Sequence, residues 1–353
     1  MSENSKEESS SKEEEKKKIT FKDIKPLLLI TGMFYILAIV LWQVLGIFFY
    51  LVNFVAIGTA LGLGIGSAPL FSRKKRDNSR KISQILMGGY MFFGLGFGLI
   101  YMFGFGYFQP ENMQFEGFWF WLFAGLFAAG TLHYLIAKIL GPFYFNRGWC
   151  GYACWTAAVL DILPWKKSPG RIKKLGGVRY VHFLVSFILI LFLVFIVGYT
   201  LRSTEGIINL SGTLPERKKL IPQYNSIFEI PEFWWFLIGN LFYYSSGIAL
   251  AAILKDNRAF CKYLCPIAVF LRIGGKYSMI KIEGDPENCT KCKACTRVCP
   301  MDIDVAQYVE DNMRVTSSEC ILCNKCVNVC PSESLQLTVK RDKNRKELLR
   351  YKE

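Results

Sequence analysis

Residues 289–300 read CTKCKACTRVCP, and residues 320–331 read CILCNKCVNVCP. Both strings fit C-x2-C-x2-C-x3-C-P, a spacing in which three nearby thiolates hold one corner of a [4Fe-4S] cluster. A tight loop cannot surround a cluster, so the fourth ligand comes from elsewhere, and in two-cluster proteins it comes from the other run. The predicted ligand sets are Cys289, Cys292, Cys295 with Cys330, and Cys320, Cys323, Cys326 with Cys299.

The segments that flank these runs alternate apolar and polar residues. Tyr277 to Glu283 and Leu335 to Val339 show the period of two that is typical of a β-strand. We therefore predict a small α+β ferredoxin-like domain with two [4Fe-4S] clusters over residues 276–340, followed by a basic tail at 341–353. Modules of this kind carry single electrons and do not transform a substrate themselves.

The rest of the chain has the composition of a membrane protein. Of its 353 residues 52% are hydrophobic and 15% aromatic, the mean hydropathy is +0.26, and a membrane-spanning helix needs about 20 apolar residues. Residues 26–72 carry no charge and are long enough for two helices with a turn near Gln43–Gly46 or Asn53. The alternative is one span followed by a re-entrant piece. Further spans are predicted at 82–108, 117–140, 180–201 and 233–254.

These spans define the predicted fold class, an all-α polytopic membrane protein of about six transmembrane helices that carries the ferredoxin-like domain. The predicted organisation is an N-terminal hairpin at 26–72, a four-helix membrane core at 80–275 and then the ferredoxin domain.

The distribution of charge predicts orientation in the inner (cytoplasmic) cell membrane. Lys and Arg number 43 against 28 acidic residues, a net +15 that alone would suit a nucleic-acid partner. The basic residues instead concentrate in the loops 73–81 and 166–174, and basic loops stay inside. Loops 109–116 and 202–232 are predicted to face outward. We therefore expect both termini and all cysteine clusters on the cytoplasmic side, with 1–25 a disordered arm and no nucleic-acid partner.

This location bears on what the eight clustered cysteines form. A disulfide knot is disfavoured in a reducing compartment. The following prolines, Pro300 and Pro331, favour iron–sulfur clusters over a zinc ribbon, which is the other structure that such cysteines build.

A sequence repeat provides the remaining four cysteines. NRGWCGYACWTAAVLDI at 146–162 aligns without a gap with NRAFCKYLCPIAVFLRI at 257–273, and each unit follows a span that runs inward. Parallel repeats of this kind are related by an axis along the membrane normal.

The repeat would bring two C-x3-C pairs to equivalent sites beside that axis. Four thiolates, from Cys150, Cys154, Cys261 and Cys265, could then hold one further metal centre, either iron–sulfur or copper. The alternative is that they are buried thiols or two separate dithiols. In a helix, cysteines four apart share a face, whereas in a loop Pro266 could start the next helix.

The two histidines of the chain, His133 and His182, lie in predicted spans. Counted along their helices they fall at different depths, which disfavours axial ligation of one haem. Ionisable residues inside a membrane are candidates for function. We therefore consider His133, Lys138 and His182 as the border of a quinone head-group pocket, the alternative being polar groups satisfied by their surroundings.

The order of motifs resembles the polyferredoxin quinol-dehydrogenase family, which includes the membrane component serving periplasmic nitrate reductase (NapH type), the membrane regulator of nitrous oxide reduction (NosR type) and a cytochrome oxidase assembly protein. The resemblance covers residues 80–340 and fits the NapH type best, since no large outer domain is present. The chain departs from the family at Trp155, where proline is usual, and in the added helix pair at 26–72.

The resemblance implies an iron–sulfur electron-transfer protein that links the quinone pool to an extracytoplasmic reductase or its maturation system, as the quinol dehydrogenase component of such a chain. Membrane lipid, quinol and a redox partner protein are the expected partners. An alternative is a reductase that assembles a copper cofactor for an outer oxidase or reductase. A third is a membrane scaffold whose ferredoxin module docks a soluble protein.

Overall fold

The computed structural model describes residues 19–106, 110–111, 113–123, 133–198, 227–342 and 344–352, and these are mostly helical. The α-helices are α1 (Phe21–Leu45), α2 (Phe48–Gly64), α3 (Asp77–Gly89), α4 (Leu99–Phe105), α5 (Phe115–Phe123), α6 (Pro142–Phe145), α7 (Gly148–Tyr152), α8 (Trp155–Leu160), α9 (Val178–Leu191), α10 (Pro231–Leu254), α11 (Ala259–Tyr263), α12 (Ile267–Lys276), α13 (Ala294–Val298), α14 (Val305–Glu310) and α15 (Lys325–Val329). The two strands are β1 (Ile280–Gly284) and β2 (Leu335–Val339). Segments of π-helix cover Tyr90–Gly96, Leu135–Leu140 and Phe192–Ile196.

Four helices are long and apolar enough to cross a membrane. They are Phe21–Leu45, Phe48–Leu70, Lys173–Ile196 and Glu232–Leu254. They correspond to both halves of the predicted hairpin and to the predicted spans at 180–201 and 233–254, although residues 199–201 lie outside the described part of the chain. The outward loop predicted at 202–232 is described only from residue 227.

The N-terminal hairpin consists of two separate helices, as one of the two predictions for this segment had it. Its turn is at Gly46, where φ is +65°, within the predicted interval. Helix α1 begins at Phe21, inside the segment predicted as a disordered arm, because Thr20 and Asp23 form a capping box. Residues 1–18 lie outside the described residues.

Glycines hold the two hairpin helices close together. A Cβ on Gly58 would lie 2.6 Å from Cβ of Phe34, and a Cβ on Gly66 would lie 2.6 Å from the Cα of Leu27. Real Cβ atoms do not approach a neighbour this closely, so each glycine is required by the contact between the helices. The spacing Gly58, Gly62, Gly66 therefore acts in helix association, as small residues do in membranes.

The span predicted at 82–108 is not one helix. Helix α3 passes into π-helix at Tyr90 and ends near Gly98, whose φ is +72°, and α4 then begins at Leu99. Glycine adopts a left-handed conformation at little cost. The glycines at 94, 96 and 98 thus permit a break that a count of apolar residues does not reveal.

The span predicted at 117–140 is also wrong as a single helix. The rings of Phe118 and Tyr134 stack with centroids 4.2 Å apart, whereas sixteen residues of straight helix would separate them by about 24 Å. These two positions therefore do not belong to one straight helix; residues 124–132 lie outside the described residues.

The loop predicted to face outward at 109–116 is inserted among the helices where it is described. The Glu111 backbone N–H donates to the carbonyl of Leu95 at 3.2 Å, and Nζ of Lys138 donates to the carbonyl of Met113 at 2.8 Å. Irregular backbone at membrane depth is stable where protein surrounds it. The segment before α5 is therefore a re-entrant one, and hydropathy alone could not distinguish it from an outer loop.

The ferredoxin domain contains the predicted strands. Strands β1 and β2 pair antiparallel, with Ile280 opposite Val339. The segment after β2 does not extend away as a tail, because the Lys352 N–H donates to the carbonyl of Arg171 at 2.8 Å and the Arg171 N–H donates to that of Arg350 at 2.9 Å.

A buried carboxylate joins this domain to the helical body. The Glu319 side chain is completely buried and forms ion pairs with four arginines, which are Arg147, Arg171, Arg179 and Arg272. Burial opposes its ionisation, but the arginines lower the pKa of Glu319 below the ordinary glutamate value. Because Glu319 immediately precedes Cys320, the ion pairs fix the second cysteine run against the helices.

Substitution of Gly66 tests the hairpin contact. We expect Gly66→Ala to destabilise the chain by about 1–3 kcal/mol, because overpacking at a backbone contact forces the helices apart. The measurement is the midpoint of thermal unfolding in detergent. Gly32→Ala in α1 is the control, since nothing lies within 4 Å of a Cβ there; equal midpoints for the two variants would contradict the assignment.

Substitution of Glu319 tests the ion-pair cluster. Glu319→Gln leaves buried arginines without a counter-charge, and losing one partner of a buried pair costs about 3–5 kcal/mol. We expect a lower unfolding midpoint and faster proteolytic release of the ferredoxin domain. The exposed Glu310→Gln provides the control, and a Glu319→Gln variant that behaves like it would argue against the cluster.

Candidate electron-transfer site

The two cysteine runs of the ferredoxin domain have the same backbone conformation. Each run contains three non-glycine residues with a positive φ angle. Two of them lie two and four positions after the first cysteine, and the third lies three positions after the last cysteine. These residues are Lys291, Lys293 and Asp302 in the first run and Leu322, Asn324 and Glu333 in the second, with φ between 51° and 58°. Such residues cost about 1–3 kcal/mol each and persist where the surrounding structure demands them. Turns of this type form the backbone nests found at Fe–S sites.

One set of cysteines gathers around Cys326. Burial raises the pKa of Cys326 well above its ordinary value, and the charges of Cys323, Cys320 and Cys299 raise it further. Cys299 comes from the first run and the other three from the second. The structure therefore brings together the four residues of one predicted ligand set.

The members of the other predicted set meet in two pairs. Burial raises the pKa of Cys295, and the charge of Cys289 contributes to that rise. A hydrogen bond from the backbone N–H of Ala294 lowers the pKa of the exposed Cys292, while the charge of Cys330 acts in the opposite direction. Cys330 thus lies near the first run, as the exchange of fourth ligands requires.

These thiols do not converge on a point. Among the described residues no three His, Cys, Asp or Glu side chains lie close enough to hold one metal ion. A [4Fe-4S] cluster does not need such convergence, because each of its four irons takes a different thiolate. Grouped but separated thiols with backbone donors therefore fit a cluster.

The C-x3-C pairs lie on broken helices. Cys150 is in α7 and Cys154 caps α8, while Cys261 is in α11 and Cys265 precedes Pro266, which caps α12. The loop alternative for Pro266 is therefore confirmed, and the pairs do not lie along one continuous helix face.

The four thiols of the two pairs lie within electrostatic range of one another. Burial raises the pKa of Cys265, and the charges of the other three thiols raise it further. Burial likewise raises the pKa of Cys154 to about 12, with smaller contributions from Cys150 and Cys261. A bound metal deprotonates its thiol ligands outright, which would offset these raised pKa values.

Two arginines cross between the repeats in a reciprocal way. Nη2 of Arg147 donates to the carbonyl of Cys261 at 3.2 Å, and Nη1 of Arg258 donates to the carbonyl of Cys150 at 3.1 Å. Each arginine belongs to one repeat and binds the cysteine of the other. This exchange is what the predicted two-fold relation of the repeats requires.

The second ferredoxin run packs directly on the first repeat. The Arg147 N–H donates to the carbonyl of Cys320 at 3.2 Å, and the Tyr152 hydroxyl donates to that of Leu322 at 3.1 Å. A Cβ on Gly151 would lie 2.4 Å from the carbonyl oxygen of Ile321. Only backbone therefore separates the C-x3-C site from this run.

The residues predicted to border a quinone pocket lie around the same thiols. Lys138 is buried, with Nζ 5.6 Å from the Trp149 ring and 5.3 Å from that of Trp155. Its charge lowers the pKa of Cys154 in part. The His133 ring lies 5.1 Å from the Trp149 ring. Trp155, the departure from the family pattern, donates from Nε1 to Oδ1 of Asn240 at 2.8 Å.

His182 has different neighbours, which include an acidic residue that sequence analysis missed. Its Nδ1 lies 2.8 Å from the carbonyl of Leu264, and its Nε2 lies 3.8 Å from Oε1 of Glu116. Glu116 was assigned to an outward loop, and an acidic residue between a supposed loop and a span gives no signal of burial. Only the re-entrant path of the chain brings it to His182.

Comparison with known proteins agrees with the cysteine runs. Residues 281–347 match the family model described as a 4Fe-4S dicluster domain. No solved structure matches the chain.

Three relatives extend the comparison. The methylamine utilization ferredoxin-type protein MauN of Methylobacillus flagellatus is 27% identical over 186 residues, which are 51% of this chain and 58% of MauN. The putative electron transport protein YccM of Escherichia coli is 32% identical over 76 residues, 22% of this chain and 20% of YccM. The uncharacterized protein MJ0749 of Methanocaldococcus jannaschii is 33% identical over 61 residues, 17% of this chain and 25% of that protein.

The matched region thus spans between 20% and 58% of the length of these relatives. The chain carries a 4Fe-4S dicluster ferredoxin domain and is homologous to the ferredoxin-type electron transport proteins MauN and YccM.

Proposed function

We propose that this chain is a membrane-bound electron-transfer protein that connects the quinone pool, through a thiolate-held centre at the C-x3-C pairs, to two [4Fe-4S] clusters in its ferredoxin domain. The observation that supports this most is the direct contact between the four-thiol site and the Cys320 run. Electrons hop efficiently only over short distances, and here the two sites share backbone contacts through Arg147 and Tyr152.

The order of sites follows from their neighbours. The C-x3-C site contacts the run that begins at Cys320. Within the ferredoxin domain the charge of Cys295 contributes to the raised pKa of Cys326. The two ligand sets are therefore adjacent. The exposed Cys292 belongs to the outer set, with Lys291 and Lys293 beside it in sequence. We place the exchange with a redox partner protein at this exposed end.

The residues around each thiol set supply the means to tune its reduction potential. Charge, hydrogen bonds to sulfur and burial spread cluster potentials over roughly −700 to +450 mV. The C-x3-C site has Arg147, Arg258 and Lys138 beside it, and permanent positive charge favours the reduced form. Cys330 instead receives hydroxyl contacts, with Oγ of Ser334 3.2 Å from its sulfur.

The placement in the cell is also proposed. The basic loops beside the apolar helices support an inner-membrane protein with the ferredoxin domain and both termini in the cytoplasm. Arg73 in one such loop contacts the ferredoxin domain, donating to the carbonyl of Val327 at 2.9 Å, so loop and domain share one side.

Iron content tests the site at the repeats. Two [4Fe-4S] clusters account for about eight irons per chain, and we expect a larger number together with a third signal in the EPR spectrum of the reduced protein. Cys150→Ser with Cys261→Ser should remove the excess and leave the ferredoxin signals. About eight irons in the unmodified, anaerobically purified chain would exclude an iron–sulfur centre at the repeats.

Single substitutions test the exchange of fourth ligands. We expect Cys299→Ser to alter the same EPR signal as Cys323→Ser, and Cys330→Ser to alter the same signal as Cys289→Ser, because each fourth ligand belongs to the other run. The matched pairs serve as controls for each other. Cys299→Ser and Cys289→Ser sharing one altered signal would contradict the assignment.

A copper-assembly reductase is the second candidate, and the chemistry of the repeat site favours it specifically. Its four potential ligands are all thiols, the soft donors that select Cu(I). Titration of the purified chain with Cu(I) separates the two functions. Stoichiometric binding that Cys150→Ser and Cys261→Ser abolish would favour assembly, whereas a site already filled with iron that takes no copper would favour electron transfer.

A further inference from the structure

A polar cluster lies among the apolar helices at Glu116. Its Oε1 accepts a hydrogen bond from Oγ of Ser186 at 2.9 Å, and its Oε2 accepts one from the Tyr243 hydroxyl at 2.9 Å. Tyr243 is in α10 and Ser186 in α9, so two long apolar helices both aim a donor at a carboxylate from the re-entrant segment. Two donors of this kind hold the carboxylate in place.

His182 completes the cluster, and its tautomer is fixed. A backbone carbonyl only accepts hydrogen bonds, so the 2.8 Å contact from Nδ1 to the Leu264 oxygen places the proton of the neutral ring on Nδ1. Nε2 therefore carries a lone pair. It points toward Glu116, whose Oε1 is 3.8 Å away and beyond hydrogen-bonding distance. Two proton-accepting atoms thus face one small space.

This space is reached from the apolar surface of the helices. The side chains of Glu116 and His182 are 29% and 13% exposed. Around His182 the surface is apolar, with Val181 61%, Val185 59% and Phe242 50% exposed. Counted along α9 from Val178, the cluster lies about 6–12 Å into the helix. A molecule dissolved in the lipid could approach it there, and a purely aqueous one could not.

The cluster also borders the thiols of the repeat. Leu264, which fixes His182, immediately precedes Cys265. The Tyr134 hydroxyl is buried without a hydrogen-bond partner among the described atoms and is within electrostatic range of both Glu116 and Cys265. An unsatisfied buried hydroxyl is costly unless another group meets it. A buried hydroxyl without a partner among the described atoms therefore lies near both Glu116 and Cys265.

We propose that Glu116 and His182 bind the head group of a lipid-borne quinol and accept its two protons. This proposal rests on the proposed function and names the residues at which the quinol would bind. Oxidation of one quinol to quinone breaks two O–H bonds and releases two protons and two electrons. Nε2 of His182 takes one proton and the Glu116 carboxylate takes the other. The two electrons would leave singly to a one-electron acceptor, a role that an iron–sulfur centre held by Cys265 and the other thiols of the repeats would fill.

His133 and Lys138 do not form an equivalent site. Lys138 is fully buried and has no acceptor atom, and its ammonium is engaged by the carbonyl of Met113. His133 lies against Trp149 on the repeat. Of the residues first considered for the quinone pocket, His182 is the one that pairs with a carboxylate and faces the lipid.

The test uses the full chain, purified anaerobically with its clusters, and duroquinol as the electron donor. We expect Glu116→Gln and His182→Gln each to slow reduction of the clusters by duroquinol about 100-fold, since a proton acceptor typically contributes 10²–10⁴ in rate. Iron content and reduction by dithionite should not change, which shows that the variants are folded. Tyr243→Phe, which removes one donor to Glu116, should give a smaller loss.

Glu310→Gln is the control, because it removes an exposed carboxylate of the ferredoxin domain, and it should reduce as fast as the unmodified protein. Variants at Glu116 and His182 that duroquinol reduces at the unmodified rate would overturn this site and leave the proposed function intact. An unmodified chain that dithionite reduces and duroquinol does not would overturn the proposed function itself.

Discussion

The arrangement of the whole molecule depends on one buried carboxylate. Glu319 lies next to Cys320 and is completely buried, and a full charge in such a place is stable only when it is closely paired. Its arginine partners come from both cysteine repeats and from the segment that enters α9. Satisfying this one charge therefore draws both repeats and the second cysteine run to a common point. An apolar cluster that contains Cys150, Leu271 and Ile321 joins the same parts of the molecule.

The two repeats have diverged around this point in a way that follows from charge. Asp161 and Arg272 occupy equivalent positions of the repeat but carry opposite charges. Asp161 pairs with Arg258 of the other repeat, whereas Arg272 pairs with Glu319. Trp155 and Pro266 diverge similarly, since the indole packs into the helices and the proline starts α12. Both repeats contact the ferredoxin domain, the first through Arg147 and Tyr152 and the second through Arg272.

The sequence predicted those features that local chemistry decides. The spacing of the cysteine runs, the strands β1 and β2 and the turn at Gly46 all depend on residues close together in the chain, and the structure contains them. The gap-free repeat predicted equivalent sites for the two cysteine pairs, and the reciprocal contacts of Arg147 and Arg258 agree with that relation. The re-entrant segment with Glu116 was not predictable, because a hydropathy window averages along the chain and cannot show that Phe118 returns to the level of Tyr134. An apolar hairpin and an apolar span give the same signal.

Each electron that is added to a buried carrier places a negative charge in a region of low dielectric constant, which is energetically unfavourable. At the C-x3-C site Arg147, Arg258 and Lys138 are already buried and held by carbonyls or carboxylates, so they need not move when the charge changes. Fixed positive groups of this kind stabilise new negative charge at little cost of reorganisation. Burial nevertheless raises the pKa values of Cys154 and Cys261, and the nearby cations lower them only in part. In the proposed mechanism the protons go to Glu116 and His182, which border the apolar surface of the helices.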